Sequence, residues 1–253
     1  LPGAGPRAKA HVEALAREIV SDRLKIRPNC AARTLVADID PIAEVSQKAG
    51  IGIEACLFIG SSPIRQYAED WTVERMLEHT VTAVRHAVKL GLKVMYVTED
   101  TTRAHPETLK RLYTAAIREG ASRICFCDTV GHATPEGVGA LIGWGRGLVA
   151  ELKAEVGIDW HGHRDRGLDL PNTIAAFSAG ASRGHGDAIG LGERVGNTPM
   201  DLILVNLKLM GWIDNDLSRL PEYCRAASAA CGVPIPANYP VMGSDAFETG
   251  TGV

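Results

Sequence analysis

Short apolar runs alternate with longer amphipathic stretches along almost the whole chain of 253 residues. Strands are predicted near residues 24–28, 53–59, 93–98, 123–128, 158–163 and 183–189. Helices are predicted near 6–20, 41–49 and 73–90, from Pro106, from Pro135 toward Val156, and near 170–179 and 200–210. Repeated βα units of this length imply parallel strands joined by helical crossovers.

The polar residues decide between an open sheet and a barrel. They follow the ends of many successive strands: Ser61 and Ser62, Glu99, Thr129, His161 and His163, and residues 190–197. An open sheet gathers its site at one switch point, whereas a barrel draws it from many strand ends. The sequence therefore predicts an α/β fold, a (β/α)8 TIM barrel. Since six units are found, we expect the first one or two to be absent from this chain.

The predicted domain organisation is a partial catalytic barrel over residues 1–213 and a C-terminal segment over 214–253. That segment contains a short helix near 220–231 and a Pro- and Gly-rich linker, VPIPANYPVMGSDAFETGTGV. It lacks hydrophobic periodicity, which is typical of a chain leaving a domain.

Composition excludes several classes of protein. The net charge of −3 gives no basic surface for nucleic acid or anionic membrane. No apolar run is long enough to span a bilayer, and no secretory leader is visible. The six cysteines form no CxxC pair, so we interpret them as reduced core thiols of a cytoplasmic protein.

The segment WHGHRDRGL (160–168) is the strongest chemical signal. His161 and His163 are two residues apart on a strand, so both imidazoles point to one side, which at the strand end is the barrel mouth. This arrangement suits a divalent metal. The alternative is two histidines satisfied by local hydrogen bonds. The charged residues 164–166 favour a functional site, and Asp165 is a candidate to orient a histidine.

The segment GLGERVGNTPMD (190–201) follows the last predicted strand. Its glycines, Gly192 among them, allow the backbone to approach a ligand, and Asn197 is a candidate oxygen ligand of the metal. A tight turn would explain the glycines but not Glu193 or Asn197. The spacing GxGxxxG and the late position argue against a dinucleotide site.

Two further strand ends carry candidate residues. In VTEDTTR (97–103), Glu99 and Asp100 end a strand, so that one can point into the mouth while the other braces the turn. In DTVGHATP (128–135), the Thr129 hydroxyl is a candidate donor to a substrate carboxylate. Either segment alone would be equally typical of a solvated loop or a helix start.

Together, these segments resemble the DRE-TIM metallolyase superfamily, in the branch of 2-isopropylmalate, homocitrate and citramalate synthases. EDTTR resembles the motif EDxTR, DTVGHATP resembles DTVGxxxP, and HGHRDRGL resembles HxHNDxGL. GLGERVGN resembles GxGERxGN, and PVMGSDAFETGTG resembles the linker PVxGxxAFxHxSG. The five motifs occur in the expected order and span almost the whole chain.

The resemblance implies a Claisen-type condensation of acetyl-CoA with a 2-oxoacid at a divalent metal (Mg, Mn or Zn), with release of CoA. It implies that His161, His163 and Asn197 bind the metal and that Thr129 holds the 2-oxoacid carboxylate. Glu99 would act as acid/base or positioning residue. Val97, Arg103, Gly192 and Glu193 would line the substrate site. A cytoplasmic homodimer acting in amino-acid biosynthesis, as in leucine biosynthesis, is the corresponding expectation.

The sequence also departs from the motifs. Arg164 replaces the family's Asn, and Arg65 stands where some relatives have a histidine. The Arg-Asp pair of the family's first strand is not in this chain, nor is the histidine expected shortly after Gly252. The substitutions put the identity of the substrate in doubt, whereas the absent Arg-Asp pair would supply a carboxylate ligand and a catalytic arginine.

Three other functions remain as alternatives. A retro-aldol lyase resembling 3-hydroxy-3-methylglutaryl-CoA lyase is disfavoured because residues 190–197 contain no cysteine. A metal-dependent hydrolase usually carries its histidine pair on the first barrel strand. A non-catalytic barrel scaffold would explain the lack of an anionic metal ligand.

Val97 gives a prediction about the substrate. It lies two residues before Glu99, so both side chains point into the mouth. The resemblance places this position near the side chain of the 2-oxoacid, and a small apolar residue there suits a branched aliphatic group, which favours 2-oxoisovalerate over 2-oxoglutarate. The alternative is that Val97 only fills the barrel interior.

Overall fold

The computed structural model describes residues 1–250, and within them one sheet of six parallel strands curls into a half-barrel. The strands run in chain order: β1 (Asn29–Arg33), β2 (Glu54–Gly60), β3 (Val94–Glu99), β4 (Arg123–Asp128), β5 (Gly157–Gly162) and β6 (Arg183–His185). Each strand pairs with the next in the sequence. The predicted TIM-barrel-like fold is thus confirmed, with β1 and β6 as the two edges of the sheet that the structure describes.

The helices alternate with the strands. They are α1 (Pro6–Ser21), α2 (Val36–Ala49), α3 (Pro63–Ala68), α4 (Val73–Lys89), α5 (Pro106–Arg118), α6 (Pro135–Glu151), α7 (Asp169–Ser178), α8 (Met200–Leu209) and α9 (Leu220–Cys231). Prolines open α5 and α6, where a missing N–H costs no helical bond. No helix in residues 1–250 combines the length and apolarity needed to cross a bilayer.

The main core lies between the convex face of the sheet and the helices. Its largest fully buried side chains include Tyr96, Tyr113, Phe126 and Trp160. Tyr113 packs edge-on against both Tyr96 and Phe126, at centroid distances of 6.0 and 5.0 Å. Because strand residues alternate, the strand neighbours of Tyr96, Phe126 and Trp160 face the concave side, which is where the polar strand ends meet.

The first strand and second helix differ from their predicted positions. Residues 24–28 are outside any strand, and β1 is Asn29–Arg33, with only the small Cys30 and Ala32 buried. Helix α2 begins at Val36, not at Pro41, which lies inside it. Asp38 is buried in the first turn and accepts hydrogen bonds from Arg33, tying α2 to β1.

The last strand is shorter than predicted. It ends at His185 rather than at Ile189, and a short 3-10 turn follows at Ala188–Gly190. Ile189 has a φ of 49°, which is rare for a branched residue. This turn redirects the chain across the barrel mouth and so positions the glycine-rich segment.

The C-terminal segment folds back onto the barrel. Cys224 of α9 and Tyr239 pack with Ile189 in a small buried cluster. The predicted helix at 220–231 coincides with α9. The final residues of the predicted linker, 251–253, lie outside the described residues.

Candidate metal and substrate site

The concave face of the half-barrel encloses an open cavity of about 780 Å³. Most of its lining consists of alternate residues of β1 to β6 and the residues directly after them. The candidates named from the sequence that line it are Val97, Glu99, Thr129, His161, His163, Glu193 and Asn197. Seven of the nine candidates therefore share one cavity, whereas Arg103 and Gly192 do not line it.

His161 and His163 converge at the mouth. Their Nε2 atoms are 3.2 Å apart, with the two rings nearly perpendicular. Burial, with smaller contributions from His185 and His163, lowers the pKa of His161 to about 3. Burial also lowers the pKa of His163, as does the nearby Arg194. Both rings are therefore neutral at physiological pH, the state in which imidazole binds a metal.

Asn197 completes this group of side chains. Its Nδ2 lies 3.4 Å from His161 Nε2, and its backbone forms an antiparallel bridge with His163. Gly192 makes room for this side chain, because a Cβ at that position would lie 2.1 Å from Asn197 Oδ1. The sequence placed Gly192 against the substrate, whereas its structural contact is with Asn197.

The donor set fits two imidazole ligands and a neighbouring amide. The Nδ1 of His163 is buried without a hydrogen-bond partner, and its Nε2 lies within hydrogen-bond distance of His161. Residues 1–250 contain no cluster of three or more His, Cys, Asp or Glu side chains suited to a metal. The described residues therefore supply part of a coordination shell.

Thr129 and Glu99 lie on neighbouring strands beside the histidines. Thr129 Oγ1 accepts a hydrogen bond of 2.8 Å from the backbone N–H of Asp100. Its own proton therefore stays available to a substrate oxygen. Asp100 is buried and forms a two-bond pair with Arg103, at 2.7 and 2.8 Å. Arg103 thus braces the turn and does not line this cavity.

Arg65 lies at the mouth of the barrel, a position that was not predicted from the sequence. Cys56 and Phe58 line the cavity, so position 60 also faces inward, and it is a glycine. A Cβ on Gly60 would lie 2.8 Å from Arg65 Nε, so the arginine occupies the space of the missing side chain. Its Nε is 3.5 Å from Glu99 Oε1. Helix α3 and strand β3 therefore meet at Glu99, a contact that sequence spacing does not predict.

A second unpredicted group lies beneath the histidines. His185, at the end of β6, lines the cavity, and its Nδ1 is 3.3 Å from His161 Nδ1. Its Nε2 is 3.0 Å from a carboxylate oxygen of Asp159, which is fully buried. Arg123 and Arg183 also bind Asp159. The only sequence signal was a GHG tripeptide within a predicted strand.

Two carboxylates hold the loop that carries Asn197. Asp165 was a candidate to orient a histidine, but its hydrogen bonds go to Arg194 at 2.8 and 2.9 Å. Asp201 is fully buried and accepts from the backbone N–H of Ile189 at 2.7 Å and from the Tyr239 hydroxyl at 3.0 Å. The loop is thus attached to both the barrel and the C-terminal segment.

Comparisons with known proteins give matches over most of the chain. The HMGL-like family model matches residues 1–225. A candidate (R)-citramalate synthase, CimA, of Methanosarcina acetivorans is 34% identical over 221 residues, 87% of this chain and 42% of that protein. The 2-isopropylmalate synthase of Nitratidesulfovibrio vulgaris is 33% identical over 252 residues, 96% of this chain and 47% of that protein. The chain spans less than half the length of these two relatives.

Solved structures show the same fold. The HMG-CoA lyase of Bacillus subtilis has a TM-score of 0.69 at 23% identity, covering 88% of this chain and 76% of that one. An HMG-CoA lyase of Acinetobacter baumannii, solved with coenzyme A and 3-methylmalate, has a TM-score of 0.66 at 20% identity, covering 83% and 71%.

Proposed function

Because this chain belongs to the HMGL-like family, we propose that it forms the metal-binding part of the active site of an acetyl-CoA/2-oxoacid condensing enzyme. The reaction is that of a 2-isopropylmalate synthase. The single observation that supports this most is the convergence of His161 and His163 in the cavity that Thr129 and Glu99 also line. The similarity to synthases over most of this chain supports the same direction of reaction.

His161 and His163 would hold a divalent cation, with Asn197 beside it. When bound, the cation would polarise the ketone of the 2-oxoacid and stabilise the negative charge that develops on its oxygen. The two neutral rings bring no positive charge of their own that would repel it.

Thr129 would bind the carboxylate of the 2-oxoacid. Its Oγ1 already accepts the Asp100 N–H, so the hydroxyl proton points elsewhere and is available to a carboxylate oxygen. Because donor and acceptor are fixed in this way, the hydroxyl is oriented before the substrate arrives, which reduces the cost of binding.

Glu99 would take a proton from the methyl carbon of acetyl-CoA. That carbon would then bond to the ketone carbon, and the ketone oxygen would take up a proton to become the product hydroxyl, which balances the proton that Glu99 removed. Water cleaves the thioester to a carboxylate and the thiol of CoA. Arg65, 3.5 Å from Glu99, would position the carboxylate at the mouth. As part of the same proposal, the cavity binds the substrates, the protein is a homodimer and its location is cytoplasmic.

The test is release of free CoA from acetyl-CoA by the purified full-length protein with a divalent cation. Pyruvate, 2-oxoisovalerate and 2-oxoglutarate are compared, and cleavage of HMG-CoA is assayed in parallel. We expect the wild-type protein to condense acetyl-CoA with one of the oxoacids. His161→Ala and His163→Ala should lose both this activity and the bound cation, whereas His11→Ala should keep full activity. His11 is exposed on α1, remote from the cavity lining. HMG-CoA cleavage without condensation, or full cation content in both site variants, would contradict the proposal.

A further inference from the structure

His185 has no role in the proposed chemistry, yet it connects a buried carboxylate to a metal-binding histidine. Its Nε2 faces Asp159 at 3.0 Å and its Nδ1 faces His161 Nδ1 at 3.3 Å. We propose that His185 is a positioning residue that fixes the tautomer of His161, so that His161 presents the lone pair of Nε2 to the cation. This inference rests on the proposed metal site and deepens it.

The argument begins at Asp159. Its carboxylate is fully buried and is bound by the guanidinium groups of Arg123 and Arg183, at 2.6 Å for the Nε of Arg123. Two cations around one buried anion keep it ionised, and an ionised carboxylate can only accept hydrogen bonds. The nitrogen of His185 that faces it must therefore carry the proton.

The remaining proton positions in this series of hydrogen bonds follow from the chemistry of imidazole. In this proposal His185 is a neutral ring, which has one N–H and one lone pair; with its proton on Nε2, its Nδ1 is an acceptor. The atom facing that acceptor is His161 Nδ1, which must then carry a proton. His161 is left with its lone pair on Nε2, the atom that lies 3.2 Å from His163 Nε2. The lone pair thus points to the proposed metal position.

His185 is not itself a third ligand at this position. It contacts the nitrogen of His161 that faces away from His163, so no single cation could contact all three rings through these atoms. A ligating histidine commonly donates its second N–H to a carboxylate or carbonyl. Here the acceptor for His161 is the imidazole of His185, and the carboxylate of Asp159 contacts His185 instead of His161.

The first experiment measures Zn²⁺ affinity of the full-length protein by competition with a chromogenic chelator. His185→Phe removes the acceptor, and we expect Zn²⁺ binding about 10- to 100-fold weaker, the usual effect of losing such a partner. His185→Asn places a carbonyl oxygen near the position of Nδ1 and should retain most of the affinity. His11→Phe is the matched surface control, and His161→Ala is the reference for loss of the ligand.

The outcomes separate the two proposals. If His161→Ala binds Zn²⁺ like the wild type, the metal site itself is wrong. If His161→Ala loses Zn²⁺ but His185→Phe binds it normally, the metal site stands and the role of His185 is wrong. Equal losses in His185→Phe and His185→Asn would show that ring packing, and not the acceptor, matters, and would also overturn the inference.

A second measurement does not depend on the folding of any variant. Long-range ¹H–¹⁵N spectra of the wild-type protein, labelled at histidine nitrogen, report which ring nitrogen carries the proton. We expect His161 as the Nδ1–H tautomer and His185 as the Nε2–H tautomer, with His161→Ala used for assignment. A His161 ring protonated at Nε2 in the metal-free protein would refute the assignment.

Discussion

Alternate residues of β5 face opposite sides of the sheet, and this decides which of them can do chemistry. Trp160 is fully buried toward the helices, whereas His161 and His163 reach the concave side. The pattern HxH was sufficient to predict this from the sequence because the period of a strand is two. The contacts of His185 and Arg65 could not be predicted in this way, since their partners lie on other strands.

Thr129 allows a test of the oriented hydroxyl. Thr129→Val removes the donor to the 2-oxoacid carboxylate, and a hydrogen bond to a charged group contributes about 1.5 to 3 kcal/mol. We expect KM for the 2-oxoacid to rise about 10- to 100-fold with little change for acetyl-CoA. Thr129→Ser, which keeps the hydroxyl, is the control. Equal effects on both substrates would argue against a carboxylate contact.

Val97 allows a test of substrate choice. It lines the cavity two residues before Glu99, as the alternation of the strand requires. Val97→Phe should penalise 2-oxoisovalerate more than pyruvate, because overpacking costs about 1 to 3 kcal/mol where the fit is close. The measurement is the ratio of kcat/KM for the two oxoacids, with Val97→Ile as a smaller step. An unchanged ratio would mean that Val97 only packs the interior.

At the scale of elements, strands with strong hydrophobic patterns were predicted to within a few residues of their observed bounds, whereas β1 was not. The run before it contains Leu24 and Ile26, both exposed, whereas the true strand buries only Cys30 and Ala32. Hydrogen bonding to β2 determines that residues 29–33 form the strand, and the β propensity of a single segment cannot predict such a pairing. Helix α2 was shortened in the prediction because Pro41 was interpreted as its start, although Asp38 already lies in the first turn.

The Asp38–Arg33 pair joins β1 to α2 and gives a pH-dependent stability. Hydrogen bonds from the Arg33 guanidinium lower the pKa of Asp38. A lowered folded pKa means that the stabilisation is present above the unfolded pKa, near 3.9, and is lost as the pH falls through the folded value. Asp38→Asn should therefore reduce the free energy of unfolding at pH 7, with a smaller difference from wild type at pH 3.

Urea unfolding of both proteins at the two pH values measures this, with Glu155→Gln as an exposed control. A difference between wild type and Asp38→Asn that stays constant with pH would indicate that the ion pair contributes nothing.

Asp201 gives the corresponding test for the loop after β6. Asp201→Ala leaves the buried N–H of Ile189 without an acceptor, at a cost of about 1 to 3 kcal/mol, and also removes the bond from Tyr239. Tyr239→Phe removes only the second bond. We expect a larger loss of unfolding free energy in Asp201→Ala than in Tyr239→Phe, measured by chemical denaturation. Equal losses would show that Ile189 is held by packing alone.

At the scale of the whole molecule, the half-barrel has an open cavity and two sheet edges in the part that the structure describes. Within the described residues, β1 and β6 each pair with a strand on one side only, and an edge strand favours pairing with another chain. A polypeptide of residues 1–250 alone should therefore self-associate with rising concentration, measured by light scattering after gel filtration. Ala31→Lys, which places a charge on the inner face of β1, should reduce this. A monodisperse monomer at all concentrations would contradict the prediction.

Gly60 and Arg65 have a consequence for the variation of related sequences. One guanidinium side chain occupies the space that a Cβ on Gly60 would need, at 2.8 to 3.0 Å. The two positions are therefore expected to covary. A larger residue at 60 should occur with a short side chain at 65, and an arginine at 65 should accompany glycine at 60. An alignment of homologues in which arginine at 65 tolerates all residues at 60 would show that the arginine can leave the mouth without cost.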